Sequence, residues 1–160
     1  MRLHGERPPF EDLGDKEYRG QVRQMPSGQD NEVWSFGDRA YEIMQKFLAL
    51  REKLRPYIHI LMNEAHINGS PVMRTMFYEF PDDENCWTCT DQYMLGSSIL
   101  VAPVMEKGLS KRKVYLPQKS AADVWTNLFT GEQFKAGRTI EAACILDNFP
   151  VFYRGDNPLV

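Results

Sequence analysis

Apolar side chains recur in steps of three and four from Ala40 to Ala65, through Ile43, Phe47, Leu50, Leu54, Ile58 and Leu61. That spacing puts them on one face of an α-helix, and it predicts a long helix over about 36–67. Ser35 followed by Asp38 reads as a capping box at its start. Asn68-Gly69, with Pro71 beyond, reads as a left-handed cap and a stop. Pro56 interrupts the hydrogen-bond ladder, so a kink near Arg55–Tyr57 is expected. Met44, Leu48, Tyr57 and Met62 widen the apolar stripe. A helix this apolar needs a large partner, and little else in the chain is helical.

Beyond Pro71 the period changes. "PVMRTMFYEF" is a β-type run ending at Pro81, "SSILVAPVM" is continuously apolar at strand length, and "KRKVYLP" alternates. "DVWTNLFTGEQF" reads as a hairpin turning at Thr130-Gly131, followed by strands in "RTIEAACIL" and "PVFYR". Short strands about ten residues apart predict an antiparallel β-sandwich, so the fold class is α+β. A change of character near Asp91 separates a helix-and-strand part from an all-β part. Residues 1–33 hold Pro8, Pro9, Gly14, Gly20, Pro26 and Gly28 with no sustained period, and read as loop.

Composition narrows the function. The 160 residues carry a net charge of −3, and the one basic cluster, Lys111–Lys113, is too short to hold nucleic acid or an anionic membrane. No apolar run reaches the roughly 18 residues of a membrane span, and no signal-peptide core is visible. Three cysteines do not make a secreted disulfide framework. The expected compartment is the cytoplasm.

Several constellations could carry chemistry. Cys86 and Cys89 form a CxxC, but they follow the acidic "FPDDEN", which raises thiol pKa rather than lowering it, and two further zinc ligands at suitable spacing are lacking. Glu79, Asp82, Asp83 and Glu84 could act as acid and base or bind a hard cation; adjacent acids after a strand more simply make a solvated turn. In "VWSFGD", Trp34 could stack a sugar beside Asp38, although a first-turn acid already suits the helix dipole. His59 and His66 share a helix face without a third ligand. Arg2, His4 and Arg7 sit in a Pro/Gly context that no helical or strand period explains. Nucleophile-elbow, Walker and dinucleotide motifs are absent. No catalytic residue, metal ligand or cofactor is assigned.

Taken in order, "RLHG" at 2–5, "EVWSFGDRAYEIMQKFLALREKLRPYI" at 32–58, "SPVMRTMFYEFPDD" at 70–83, "DQYMLGSSILVAPVMEKG" at 91–108, "KVYLP" at 113–117 and "FPVFYR" at 149–154 resemble the C-terminal half of glycoside hydrolase family 31, the retaining α-glucosidases and α-xylosidases. The resemblance implies the last βα-unit of a (β/α)8 barrel in residues 1–69, then a linking strand and the proximal β-sandwich in 70–160. His4 would match the family histidine that hydrogen-bonds the sugar, with Arg2 beside it as a second substrate-binding residue.

The family's two catalytic aspartates lie in W-x-D-x-x-E and W-x-G-D strings, and neither string occurs in this sequence. The resemblance therefore implies a chain inactive alone, cut at both ends, whose partners are the rest of the barrel and an α-glycoside. The orphaned apolar face of the helix implies self-association as a homo-oligomer. The alternative is a non-catalytic β-sandwich binding carbohydrate or protein, with Trp87, Trp125 and the tyrosines as stacking surfaces.

Overall fold

The computed structural model describes residues 33–159, residue 35 as backbone alone, and, also as backbone, residues 15–18 and 21–24. The chain divides into two compact units, Met1–Glu52 and Lys53–Val160.

In the first unit, β1 (Asp15–Tyr18) and β2 (Gln21–Gln24) pair antiparallel, Tyr18 opposite Gln21. Within the stretch 1–33 expected to be loop, residues 15–18 and 21–24 are therefore strand, and its other residues up to 32 lie outside those described. The hairpin's sequences, DKEY and QVRQ, carry no apolar alternation to read, and the two-residue link is the only local cue. A 3-10 turn, Val33–Phe36, precedes helix α1 (Asp38–Asn68), whose first half closes the unit. The Tyr41 amide donates to the Gly37 carbonyl at 2.9 Å. Gly37 therefore occupies the N-cap position expected of Ser35, and Asp38 opens the helix as its first-turn acid.

The second unit begins inside α1, which runs unbroken through Pro56. Its end matches the sequence: Gly69, at φ 71°, donates its N–H to the Ala65 carbonyl at 3.0 Å. The following run departs from expectation. Only Met73–Arg74 is strand (β3), and Met76–Glu79 forms a helical turn (α2). Met76, Glu79 and Phe80 are all buried, a spacing of three and four that one turn satisfies and a strand cannot. Apolar composition suggested β; burial on one side decided otherwise.

Seven further strands follow: β4 (Tyr93–Leu95), β5 (Ile99–Val101), β6 (Lys111–Leu116), β7 (Val124–Asn127), β8 (Gln133–Lys135), β9 (Arg138–Ala143) and β10 (Val151–Tyr153). Six strands form one antiparallel sheet in the order β3-β4-β5-β10-β7-β8, while β6 and β9 pair as a second. The expected hairpin is present as β7–β8, with Val124 opposite Lys135.

Alternation along the central strands explains the continuous apolar runs. Met94, Leu100 and Phe152 face a core shared with Val114, Leu116 and Ala142 of the second sheet and with Trp125. Their neighbours Tyr93, Leu95, Ile99, Val101, Val151 and Tyr153 face the opposite way, onto a cluster that includes Leu54 and Tyr57 of α1. Strands buried on both faces lose the polar half of their pattern. Met76, Phe80 and Cys86 belong to the same core as Leu100 and Trp125, so the change of character near Asp91 marks no break in packing.

Candidate functional site

Arg2, His4 and Arg7 lie outside the described residues. Among those described, polar groups converge on the acidic turn, beginning with Glu79. Pairing of β3 with β4 sets Arg74 opposite Met94, and the α2 turn returns Glu79 to it. Arg74 Nη1 donates to Glu79 Oε2 at 2.9 Å, and both side chains are 8% exposed. Lys119 Nζ and Arg154 Nη2 reach Glu79 Oε1 at 3.0 and 3.1 Å. Arg74 also holds Glu64 of α1 at 3.2 Å and the Pro71 carbonyl at 2.8 Å. Lys119 and Arg154 flank the Phe80 ring, 5.3 and 4.9 Å from its centroid.

One carboxylate thus joins β3, the segment between β6 and β7, and the residue after β10, while Arg74 extends the network to α1. Its burial requires such partners. The solvated-turn reading fails for Glu79 and holds for exposed Asp82 and Glu84.

Asp83 is engaged differently. The Tyr115 hydroxyl lies 2.9 and 2.8 Å from its two oxygens, and the Asn85 and Gln118 amides donate to it at 3.2 and 3.3 Å. Burial, then the bond to Asp83, pushes the Tyr115 phenol up to about 12. These groups edge an open cavity of about 580 Å³. With Glu79 saturated by cations and Asp83 by donors, the turn ties strands together; the geometry does not arrange it as an acid and base pair. Sequence reasoning missed Arg74, Lys119, Tyr115 and Arg154, whose only local signal is the Arg74-to-Glu79 spacing.

The thiols are unreactive by environment. Cys86 is fully buried, and burial followed by the Asp83 charge pushes it up to about 12. Cys89 is pushed up to about 11 by burial and then Asp91. The acidic surroundings act in the expected direction, but burial is the larger cause. His59 and His66 are exposed along α1. Among the described residues, no group of three or more His, Cys, Asp or Glu side chains could hold a metal ion. No described helix is long and apolar enough to cross a membrane.

Trp125 is core, its Nε1 donating to the Pro117 carbonyl at 2.8 Å. Trp34 and Trp87 are exposed. Trp87 stacks on Phe77, centroids 5.2 Å apart and planes 15° apart, beside a second cavity of about 550 Å³.

A long helix followed by two antiparallel sheets that share a core, fastened through a buried carboxylate, defines a helix-plus-β-sandwich module. Residues 69–158 match the family model described as glycosyl hydrolase family 31 C-terminal domain, and the chain belongs to that family. It is 35% identical over 123 residues to alpha-glucosidase 2 of Bacillus thermoamyloliquefaciens, covering 77% of this chain and 15% of that enzyme. It is 36% identical over 123 residues to an alpha-xylosidase of Saccharolobus solfataricus, covering 77% and 16%. A solved family 31 α-xylosidase from a soil metagenome, complexed with xylose, aligns at TM-score 0.79 and 42% identity over 91% of this chain and 21% of its own. The chain spans 15–16% of the length of these two curated relatives.

Proposed function

We propose that this chain works as the C-terminal part of a retaining α-glycosidase that removes terminal α-linked glucose or xylose. The observation that carries the reading is the match of residues 69–158 to the family's C-terminal domain, supported by relatives that are α-glucosidases and α-xylosidases. In this reading residues 1–69 are the last βα-unit of a (β/α)8 barrel, and residues 70–160 are the linking strand and proximal sandwich. Helix α1 is the last barrel helix, and its exposed Ile60 and Ile67, seven residues apart and so on one face, suit a barrel wall supplied by the rest of the enzyme. Without that wall the same surface drives self-association. The enzyme is cytoplasmic.

The loop leaving the last barrel strand would carry Arg2 and His4 to the C-terminal face, where barrel active sites lie. There they would hydrogen-bond sugar hydroxyls, His4 more strongly as the ring flattens toward the transition state. The chemistry would be double displacement between two aspartates about 5–5.5 Å apart. One attacks the anomeric carbon while the other protonates the departing oxygen; the second then takes a proton from water, which releases the sugar with retained configuration. Both aspartates belong to strings absent from this sequence, so the chain by itself is inactive. The purified 160-residue chain is expected to leave aryl α-xylosides and aryl α-glucosides at the uncatalysed rate. Turnover that tracks the protein through purification would overturn the reading.

A further inference from the structure

The groove beside β3 and β4 is built differently from the Glu79 turn. Phe77 and Trp87 stand at its edge as a stacked pair. Trp87 Nε1 donates to the Pro81 carbonyl at 2.9 Å, which fixes the indole by one edge while Phe77 supports one face. The ring nevertheless stays 60% exposed. Large aromatics bury 150–250 Å² when they can, so a ring clamped in place and left in water presents a pre-ordered surface with little entropy left to lose on binding.

The groove's polar groups narrow the class of ligand. Its two charged lining residues are already committed within the protein: Arg74 to Glu79 and Glu64, and Asp91 to Arg112. What remains is neutral. Thr75 stands at the N-cap of α2, yet its side chain makes no capping bond. Thr90 and Tyr93 also line the groove, and among the described residues their hydroxyls have no hydrogen-bond partner within the chain. An ion would find every lining charge neutralised. A wholly apolar segment would bury these hydroxyls unpaired, which costs free energy. A pyranose ring avoids both penalties, with a C–H face for the indole and hydroxyls at its rim.

We propose that this groove is a non-catalytic carbohydrate subsite, which holds a neutral oligosaccharide with one ring on the Trp87 indole and hydroxyls bonded to Thr90 and Tyr93. Only the choice of a glucose-based probe rests on the proposed glycosidase reading; the site itself needs no barrel residue.

Proton–nitrogen correlation spectra of the full 160-residue chain give one indole N–H signal each for Trp34, Trp87 and Trp125. Titration with maltotriose to about 20 mM, suited to a shallow site of millimolar affinity, is expected to shift the Trp87 signal saturably and leave buried Trp125 in place. Trp87→Ala, followed through the backbone amide signals of Thr88 and Thr90 because the indole reporter is gone, and Thr90→Val, followed through the Trp87 indole, should each weaken the binding, Trp87→Ala by about tenfold or more. The Trp125 signal reports that each variant is folded, and Thr90→Val, a surface change, carries the test if Trp87→Ala does not fold. A Trp87 signal that stays put, an equal response to glycerol, or affinity unchanged in the folded variants would overturn the proposal. Absence of binding together with absence of hydrolysis leaves the glycosidase reading intact, whereas hydrolysis by the chain alone refutes that reading without touching this one.

Discussion

Replacing Glu79 by glutamine keeps the size of the side chain and removes the charge on which three cations converge. Arg74 loses most, because it is 8% exposed and water cannot replace its partner. Removing one member of a buried ion pair costs about 3–5 kcal/mol. Arg74 retains Glu64 at 3.2 Å and the Pro71 carbonyl at 2.8 Å, which places its share near the lower bound. Arg154, 22% exposed, adds part of a charge-assisted hydrogen bond, itself about 1.5–3 kcal/mol. Lys119 is half exposed and adds less than about 1 kcal/mol. The expected loss is about 3–4 kcal/mol, a large fraction of the stability of an ordinary domain. Urea unfolding followed by tryptophan fluorescence should show a lower midpoint with an unchanged slope. Because the partners are buried, the loss should be similar at about 0.1 and 1 M salt. Lys119→Met serves as the internal comparison, at less than about 1 kcal/mol. A Glu79→Gln loss below about 1 kcal/mol, or one that vanishes in salt, would refute the view that this carboxylate fastens the sheets.

Two further outcomes follow from local geometry. Gly96 has φ 62°, and a Cβ there would come within 2.9 Å of both Leu61 methyl carbons and closer still to the Tyr57 hydroxyl; Gly96→Ala should therefore cost more than about 2 kcal/mol in the same unfolding assay, and a neutral result would contradict the close seating of α1 on this turn. The raised pKa values of Tyr115 and Cys86, each about 12 when folded, mean that the native chain holds these protons more tightly than the unfolded one. Their contribution is complete below the ordinary values of 10.0 and 9.0 and is lost as pH rises toward 12. Unfolding midpoints should accordingly fall between about pH 9 and 12, and the fall should be smaller in Tyr115→Phe; a flat profile would count against both environments.

The periodicity of α1 was legible because each residue's face follows from its neighbours three and four away, whatever packs on it. β5 and β10 were legible as short apolar runs, and the family itself was legible in strings such as "YMLGSSILVAPV". Ser35 misled as a cap because Gly37, two residues on, could take that position. The run around Phe77 misled because its apolar content suits a strand, while the burial of Met76, Glu79 and Phe80 together requires a turn.

What the sequence determined by itself was therefore local and periodic: the long helix, the hairpin at Gly131, the order of the strands along the chain, and the strings that carry the family resemblance. Tertiary structure alone decided which acid of "EFPDDE" is buried. Glu79 meets Lys119 40 residues away and Arg154 75 residues away, and no local pattern encodes such a meeting. Two sheets packing across one core bring those cations together, and a carboxylate withdrawn from water is stable there only because they arrive.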